Sequence, residues 1–414
     1  MRLIGGARRF VMNRARNVGT VLTGRPLVMP SLGSMTLDKD DVRIARAWLK
    51  ERSSWTDPGE TREFAAEFAR WNGSRHAYAF LGGRVALSAC IDALELVPGD
   101  EVILPGYTCV VVPNAFQFAG ITVVYADIEL ETYGLDAARV EEKITTRTRA
   151  IMLQHLYGLV CRDYEAILDI ARRHRLRVIE DCAHATGAEF RKRKVGNLGD
   201  VGFYSCEQSK VFNTVMGGIA VTSSDALGER LRSFFDAAPL PDPDNIDRHL
   251  HTLILDYYRF KHPRRWILGE LAQRRYGHKE VISTTEEEEQ GIRPARYGQK
   301  MPAPVAAIGR NQLKKIDSYN AMRRQTAQRW DRWCEEMGYR KPLVVSDSVP
   351  VFLRYPVIVP PEMKRDLRWA EESLGVSPGV WFQSNIHPVA AHVADCPNAD
   401  AAVAGCINLP CLIG

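Results

Sequence analysis

From about residue 75 the chain alternates short apolar runs with amphipathic segments, and this rhythm restricts the fold more than any other feature. "HAYAF" is followed by the helical "VALSACIDALEL", and "EVILP" by "VVVPNAFQFA". "ITVVYAD" precedes "DAARVEEKI", "RAIMLQ" precedes "DYEAILDIARRH", and "RVIED" closes the series. Brief apolar runs suit strands buried on both faces, and longer segments with apolar residues every three or four positions suit helices. Strands and helices alternating in units of about thirty residues imply an α/β fold, a mostly parallel sheet with helices on both faces. All-β and bundle architectures fit poorly. Two later runs, "DVGFYS" and "GIAVTS", also read as buried strands.

After residue 223 the rhythm changes. "FFDAAPLPDPDNID" is a Pro/Asp-rich break, and residues 250–290 form an aromatic, basic and finally acidic segment ending in "TTEEEEQ". Glu286–Glu289 read as a solvated charge run, and "YYRFKHPRRWILGEL" as a surface helix covering its own domain. From about residue 303 a long amphipathic helix, "APVAAIGRNQLKKIDSYNAMRRQTAQRWDRWCEE", leads into a smaller α+β region. A length of 414 residues suits two or three domains. The expected division is a basic extension over 1–34, a large domain over 35–235, a helical and loop insertion over 236–302, and a small domain over 303–414.

A net charge of +5 is too small to argue for nucleic acid. Much of the excess comes from Arg2, Arg8, Arg9, Arg14, Arg16 and Arg25, all ahead of the first acidic residue, Asp38. This arm reads as a plain basic extension able to touch an anionic membrane surface weakly; it lacks the apolar core of a secretory signal. No apolar run approaches the roughly twenty residues that span a bilayer. The nine cysteines include no CxxC pair, which argues against structural zinc and a disulfide framework and for a reducing compartment, the cytoplasm.

Ligands of an open parallel sheet sit at the carboxyl ends of its strands. Three signals fall there. In "FLGGRVALSA" a strand stops at Gly82-Gly83 and a helix starts near Arg84, a place where free amides and a cation can meet a phosphate. In "RVIEDCAHATGA" Asp181 directly follows a strand, with His184 three residues on. In "YSCEQSKVFNTVMGG" Ser205 and Lys210 stand in a short excursion between two strands. Each has a bland alternative: a structural Gly-Gly turn, an aspartate capping a turn, a satisfied pocket histidine, a solvated lysine. Taken in chain order, phosphate donors, a ring-facing acid and a lysine able to form a Schiff base describe pyridoxal 5'-phosphate (PLP) better than any other common cofactor.

The chain resembles the DegT/DnrJ/StrS family of PLP-dependent sugar aminotransferases, of the type I, aspartate-aminotransferase-like fold. The stretches that carry the likeness are "GGRVALSACIDALELVPGDEVILPGYTCVVVPNA", "VIEDCAHATGA", "NLGDVGFYSCEQSKVFNTVMGGIAVTS" and, more weakly, "YGQKMPAPVAAIGRNQLKKID". The resemblance implies that Lys210 holds PLP as a Schiff base and moves the proton, and that Asp181 pairs with the pyridinium nitrogen. It implies phosphate contacts from Ser205, Gly83 and Arg84, and puts His184 where the family usually has glutamine near the ring hydroxyl. Several departures stand out. Gly82-Gly83-Arg84 replaces a Ser-Gly-Thr cradle. The ring-stacking aromatic falls at Cys109, leaving Tyr107 as its substitute. Gly298 stands for an asparagine offered across a dimer interface, and Lys300 for a nearby arginine. Relatives usually continue with another helix beyond "INLPCLIG".

By the same resemblance the reaction is transfer of an amino group from L-glutamate to a nucleotide-linked keto sugar, in amino-sugar or surface-glycan biosynthesis, by a homodimer. Retention of Lys210 excludes the dehydratase branch, where histidine replaces the lysine. Two other readings stay open: a PLP enzyme acting on a lipid- or carrier-linked ketone, and a catalytically silent member with a regulatory or membrane-associated role.

Overall fold

The computed structural model describes residues 29–30, 35–258, 281 and 283–412. The basic arm, apart from the backbone of Met29–Pro30, and most of "YYRFKHPRRWILGEL" lie outside the described residues. Two helices precede the sheet, α1 (Lys39–Trp48) and α2 (Pro58–Asn72). Local chemistry sets the ends of α2. The Asp57 side chain accepts from the Gly59 amide, Pro58 fills the first turn, and Gly73 closes the last turn at φ 80°.

Seven strands follow: β1 (His76–Phe80), β2 (Glu101–Pro105), β3 (Thr122–Ala126), β4 (Thr148–Gln154), β5 (Arg177–Asp181), β6 (Val201–Ser205) and β7 (Gly218–Thr222). They form one sheet in the order β1-β7-β6-β5-β4-β2-β3. Only β7 runs against the others, pairing antiparallel with both β6 and β1. The excursion over 206–217 has no crossover helix, and a strand returned by a short link must run antiparallel. The expected mostly parallel α/β sheet is thus present, with one reversed strand.

Period-two alternation packs both faces. Ile151 and Leu153 of β4 enter one apolar layer with Phe64 and Phe68 of α2. Ala150 and Met152 enter the other, with Val85 and Ile91 of α3 (Gly83–Ala93). Tyr204 and Phe203 divide in the same way. Helices α4 (Val111–Gln117), α5 (Tyr164–His174) and α6 (Asp225–Ala237) complete the covering.

Helix α7 (Pro243–Asp256) packs on α1. The long helix expected from residue 303 is two helices, α8 (Ala303–Leu313) and α9 (Ile316–Met337). The joint coincides with Lys315, whose amine reaches Asp41 at 2.7 Å and Asp38 and Asp40 at 3.2 Å each. Helix α8 lies against α1 and α2. Beyond α9, β8 (Arg354–Ile358) and β9 (Cys406–Pro410) form an antiparallel pair, and the buried Trp330 indole of α9 donates to the Pro410 carbonyl at 2.9 Å. Ile386–His387 runs parallel to Thr108–Cys109, fastening this C-terminal part to the loop after β2.

Candidate active site

Register places the chemistry. Ser205 pairs with Gly218, which pairs with Phe80, while Asp181 sits beside Phe203 and Gln154. The carboxyl ends of β1, β5 and β6 therefore share one edge with the start of β7. Over that edge lies a cavity of about 330 Å³. Gly83, Arg84, Cys109, Asp181, His184, Ser205 and Lys210 all line it.

The excursion that carries Lys210 is anchored by its own backbone. Cys206 donates to the Gly217 carbonyl at 2.9 Å, Gln208 to Val215 at 3.0 Å, and Thr214 back to Cys206 at 2.9 Å. Burial lowers the basicity of the Lys210 amine below that of an ordinary lysine, though Glu207, Cys109 and Asp181 pull the other way. Lys210 Nζ lies 3.0 Å from His184 Nε2 and 4.3 Å from the centre of the Trp381 ring.

His184 has a second bond. The Tyr157 amide donates to its Nδ1 at 3.3 Å, and burial, followed by the charges of Lys210 and Arg354, drives the imidazole pKa well down. A neutral ring that accepts at Nδ1 turns its other nitrogen, Nε2, to Lys210 Nζ.

Asp181 and its neighbour Glu180 point to opposite sides of β5. Asp181 faces the cavity, accepts from the Ala183 amide at 2.9 Å, and is pushed up to about 6 by burial. Glu180 is also fully buried, yet hydrogen bonds outweigh the burial and hold it low. Its carboxylate takes the amides of Gly196, Leu198 and Gly199, the Tyr164 hydroxyl and the His155 ring. It organises the loop ahead of β6.

The glycine turn is tight. A Cβ on Gly83 would lie 2.9 Å from Ser205 Cβ, and one on Gly218 would lie 2.3 Å from the Gly82 carbonyl oxygen. Gly83 opens α3, so unsatisfied amides of its first turn point at this end of the cavity. The Arg84 guanidinium is already engaged, by the Glu288 carboxylate and the Ser283 carbonyl. Glu288 is 3% exposed, so the acidic run Glu286–Glu289 is not wholly a solvated face. Its third residue turns inward to neutralise Arg84.

Cys109 contributes to the wall, its thiol pushed up by burial. Tyr107 does not line the cavity. Its ring is fully buried against Phe382, 4.5 Å between centroids, and its hydroxyl meets that of Tyr157 at 3.0 Å. Tertiary packing decides: the Tyr107 ring joins the C-terminal core, while Thr108 and Cys109, paired with Ile386–His387, line the cavity. Gly298 and Lys300 fall on the segment beside β1, where Leu81 donates to Gln299 and Met301 to Ala79. The Lys300 amine meets the Phe235 and Asp236 carbonyls at 3.4 Å each.

Among the lining residues that escaped sequence reasoning, Trp381 stands nearest the lysine and histidine. Trp381 lies in an irregular stretch with no periodicity, yet its ring is 4.4 Å from that of His184 and 4.3 Å from the Arg354 guanidinium carbon. Its sole signal was a large aromatic residue in a loop near Pro378 and Gly379.

A sequence model described as the DegT/DnrJ/EryC1/StrS aminotransferase family matches residues 36–414. The GDP-perosamine synthase of Caulobacter vibrioides is 32% identical over 360 residues, 84% of either chain. The L-glutamine:2-deoxy-scyllo-inosose aminotransferase of Streptoalloteichus tenebrarius is 36% identical over 237 residues, 55% of each chain. The dTDP-3-amino-3,6-dideoxy-alpha-D-galactopyranose transaminase of Aneurinibacillus thermoaerophilus is 41% identical over 174 residues, 42% of this chain and 48% of its own. In architecture the chain is similar to an aminotransferase from Psychrobacter cryohalolentis, with TM-score 0.70, 22% identity, and 91% of this chain and 92% of that one covered. It is similar also to NtdA from Bacillus subtilis, solved with bound cofactor PMP, with TM-score 0.67, 23% identity, and 91% and 78% covered. At such identities the likeness speaks for the fold alone.

Proposed function

Since this chain belongs to the DegT/DnrJ/EryC1/StrS family of PLP-dependent aminotransferases, we propose that it moves an amino group from L-glutamate to a nucleotide-linked keto sugar. Relatives named for GDP- and dTDP-linked amino sugars support this acceptor class. The observation that carries the reading is the buried Lys210 amine, 3.0 Å from His184 Nε2 in the same cavity as the buried Asp181 carboxyl.

The residues present fit PLP. A glycine turn with no room for a Cβ at Gly83, beside the Ser205 hydroxyl and the first turn of α3, suits a phosphate. Burial outweighs the pull of Lys210 and His155 and raises the Asp181 carboxyl to about 6, so a pyridinium nitrogen against it would favour its ionised form. Gly83 and Ser205 would hold the phosphate, Asp181 the ring nitrogen, Lys210 the aldehyde carbon, and His184 would stand near the ring hydroxyl. When bound, PLP draws electrons from the carbon that bears the attached amine, which makes a proton on that carbon removable.

Lys210 would take that proton and return it at the cofactor's own carbon, and its lowered basicity puts more of the amine in the free-base form that can do so. His184 Nε2 at 3.0 Å and the Trp381 ring at 4.3 Å position Nζ. Asp181, ionised beside a cation, would keep the ring nitrogen protonated.

The test is a donor and acceptor screen on the purified chain, following the absorption of bound cofactor. Amino transfer predicts bleaching with L-glutamate and recovery with a keto-sugar nucleotide. Lys210→Ala should lose at least a thousandfold in turnover; a variant as active as the parent overturns the proposal. One second reading has a specific ground: relatives named for L-glutamine and a scyllo-inosose make L-glutamine and a cyclitol ketone the other pair to screen. The assembly we expect is a homodimer, checked by sedimentation of the same preparation.

A further inference from the structure

At the phosphate end of the cavity a lining arginine is paired, behind the wall, with a carboxylate that the proposed function does not use. Arg84 stands in the first turn of α3, and its side chain is 11% exposed. Its partner Glu288 is distant in sequence and 3% exposed. The carboxylate is itself fixed, because its second oxygen accepts from the Thr285 amide at 3.0 Å in a capping box. The Glu288 carbonyl in turn takes the Asn114 side-chain amide at 2.6 Å. A second bond from the guanidinium reaches the Ser283 carbonyl, and Ser283 and Thr284 line the same cavity as Gly83 and Ser205. The guanidinium thus keeps further N–H groups in the cavity wall, while a contacting carboxylate cancels most of its field.

We propose that Glu288 is a positioning residue for the cofactor phosphate. It holds the Arg84 fork in place at the mouth of the glycine turn and at the same time attenuates its charge, so that the pair, not Arg84 alone, sets how strongly the cavity grips a phosphate. This rests on the reading that Gly83 and Ser205 hold the phosphate of PLP. The consequence is an asymmetry. Removing Arg84 leaves a buried, uncompensated carboxylate beside the phosphate, which repels it. Neutralising Glu288 leaves an arginine still hydrogen-bonded but carrying its full charge.

The experiment compares PLP with pyridoxal, which has the ring and aldehyde but no phosphate, by equilibrium titration of the full chain stripped of cofactor. The dissociation-constant ratio of the two ligands reports the phosphate alone, and a purely structural role would shift both constants together. Glu288→Gln should favour PLP over pyridoxal by a further threefold to tenfold. Arg84→Ala should reduce the preference at least tenfold, and the double variant should recover part of that loss. Inorganic phosphate should compete with PLP more strongly in Glu288→Gln than in the parent chain. Circular dichroism identifies a variant that fails to fold, and Glu288→Gln, which preserves shape and hydrogen bonding, decides the matter if Arg84→Ala does. An unchanged ratio in Glu288→Gln overturns the inference and leaves the proposed function standing. A parent chain that binds no PLP removes both.

Discussion

At the scale of single residues, Asp181 has the clearest thermodynamic consequence. Burial raises its carboxyl from an ordinary 3.8 to about 6. The folded cofactor-free chain then binds a proton more tightly than the unfolded chain, so stability is retained below about pH 4 and lost as pH rises through 6. Asp181→Asn should stabilise the cofactor-free protein at pH 7.5 by up to about 3 kcal/mol, an advantage that disappears near pH 4. Urea melts at both pH values check this, and a variant less stable at pH 7.5 would contradict it. The same substitution should weaken PLP binding, because it removes the anion that the ring nitrogen needs. Lys210 and Asp181 were legible in the sequence because Asp181 ends a strand that announces itself and Lys210 lies in the short link between two others. Tyr107 was misplaced because the partners that bury it, Phe382 and Tyr157, come from distant segments that local sequence does not show.

Among the elements, the start of β7 and the start of α3 form the tightest joint at the cavity. Gly218 lies between Phe80 and Ser205 in the sheet, and a methyl group there would meet the Gly82 oxygen at 2.3 Å and the Gly83 nitrogen at 2.5 Å. Backbone atoms cannot yield as side-chain tips do. Gly218→Ala should therefore cost about 1–3 kcal/mol in a urea melt and weaken PLP binding with it, by shifting the first turn of α3. An unchanged melt and an unchanged PLP titration would show that this edge has slack. The strands and most helices of the sheet were readable from period and length. The division of α8 from α9 was not, since both sides of Lys315 keep helical propensity and the acidic cluster that coincides with the joint comes from the other end of the chain. Glu288 was misread for the same reason: nothing within four glutamates in a row tells which one faces a buried arginine.

For the whole molecule, the cavity is assembled from distant parts of the chain, and a ligand that bridges them should hold them together. PLP at a hundred times its dissociation constant should stabilise the folded state by about 2.7 kcal/mol, seen as a rise of a few degrees in the thermal midpoint. Lys210→Ala and Asp181→Asn should each reduce that rise at a fixed PLP concentration. An equal rise in both would place the cofactor elsewhere. Among the described residues no helix is long and apolar enough to cross a membrane. What the sequence could not reveal at this scale is the contribution of the C-terminal part, because Trp381 reaches Lys210 through tertiary packing alone. That contact has a consequence for a chain still being synthesised. Every cavity residue up to 210 leaves the ribosome well before the indole that packs on the amine. Until that late segment docks, the wall over the lysine stays open, so the pocket closes only near the end of synthesis.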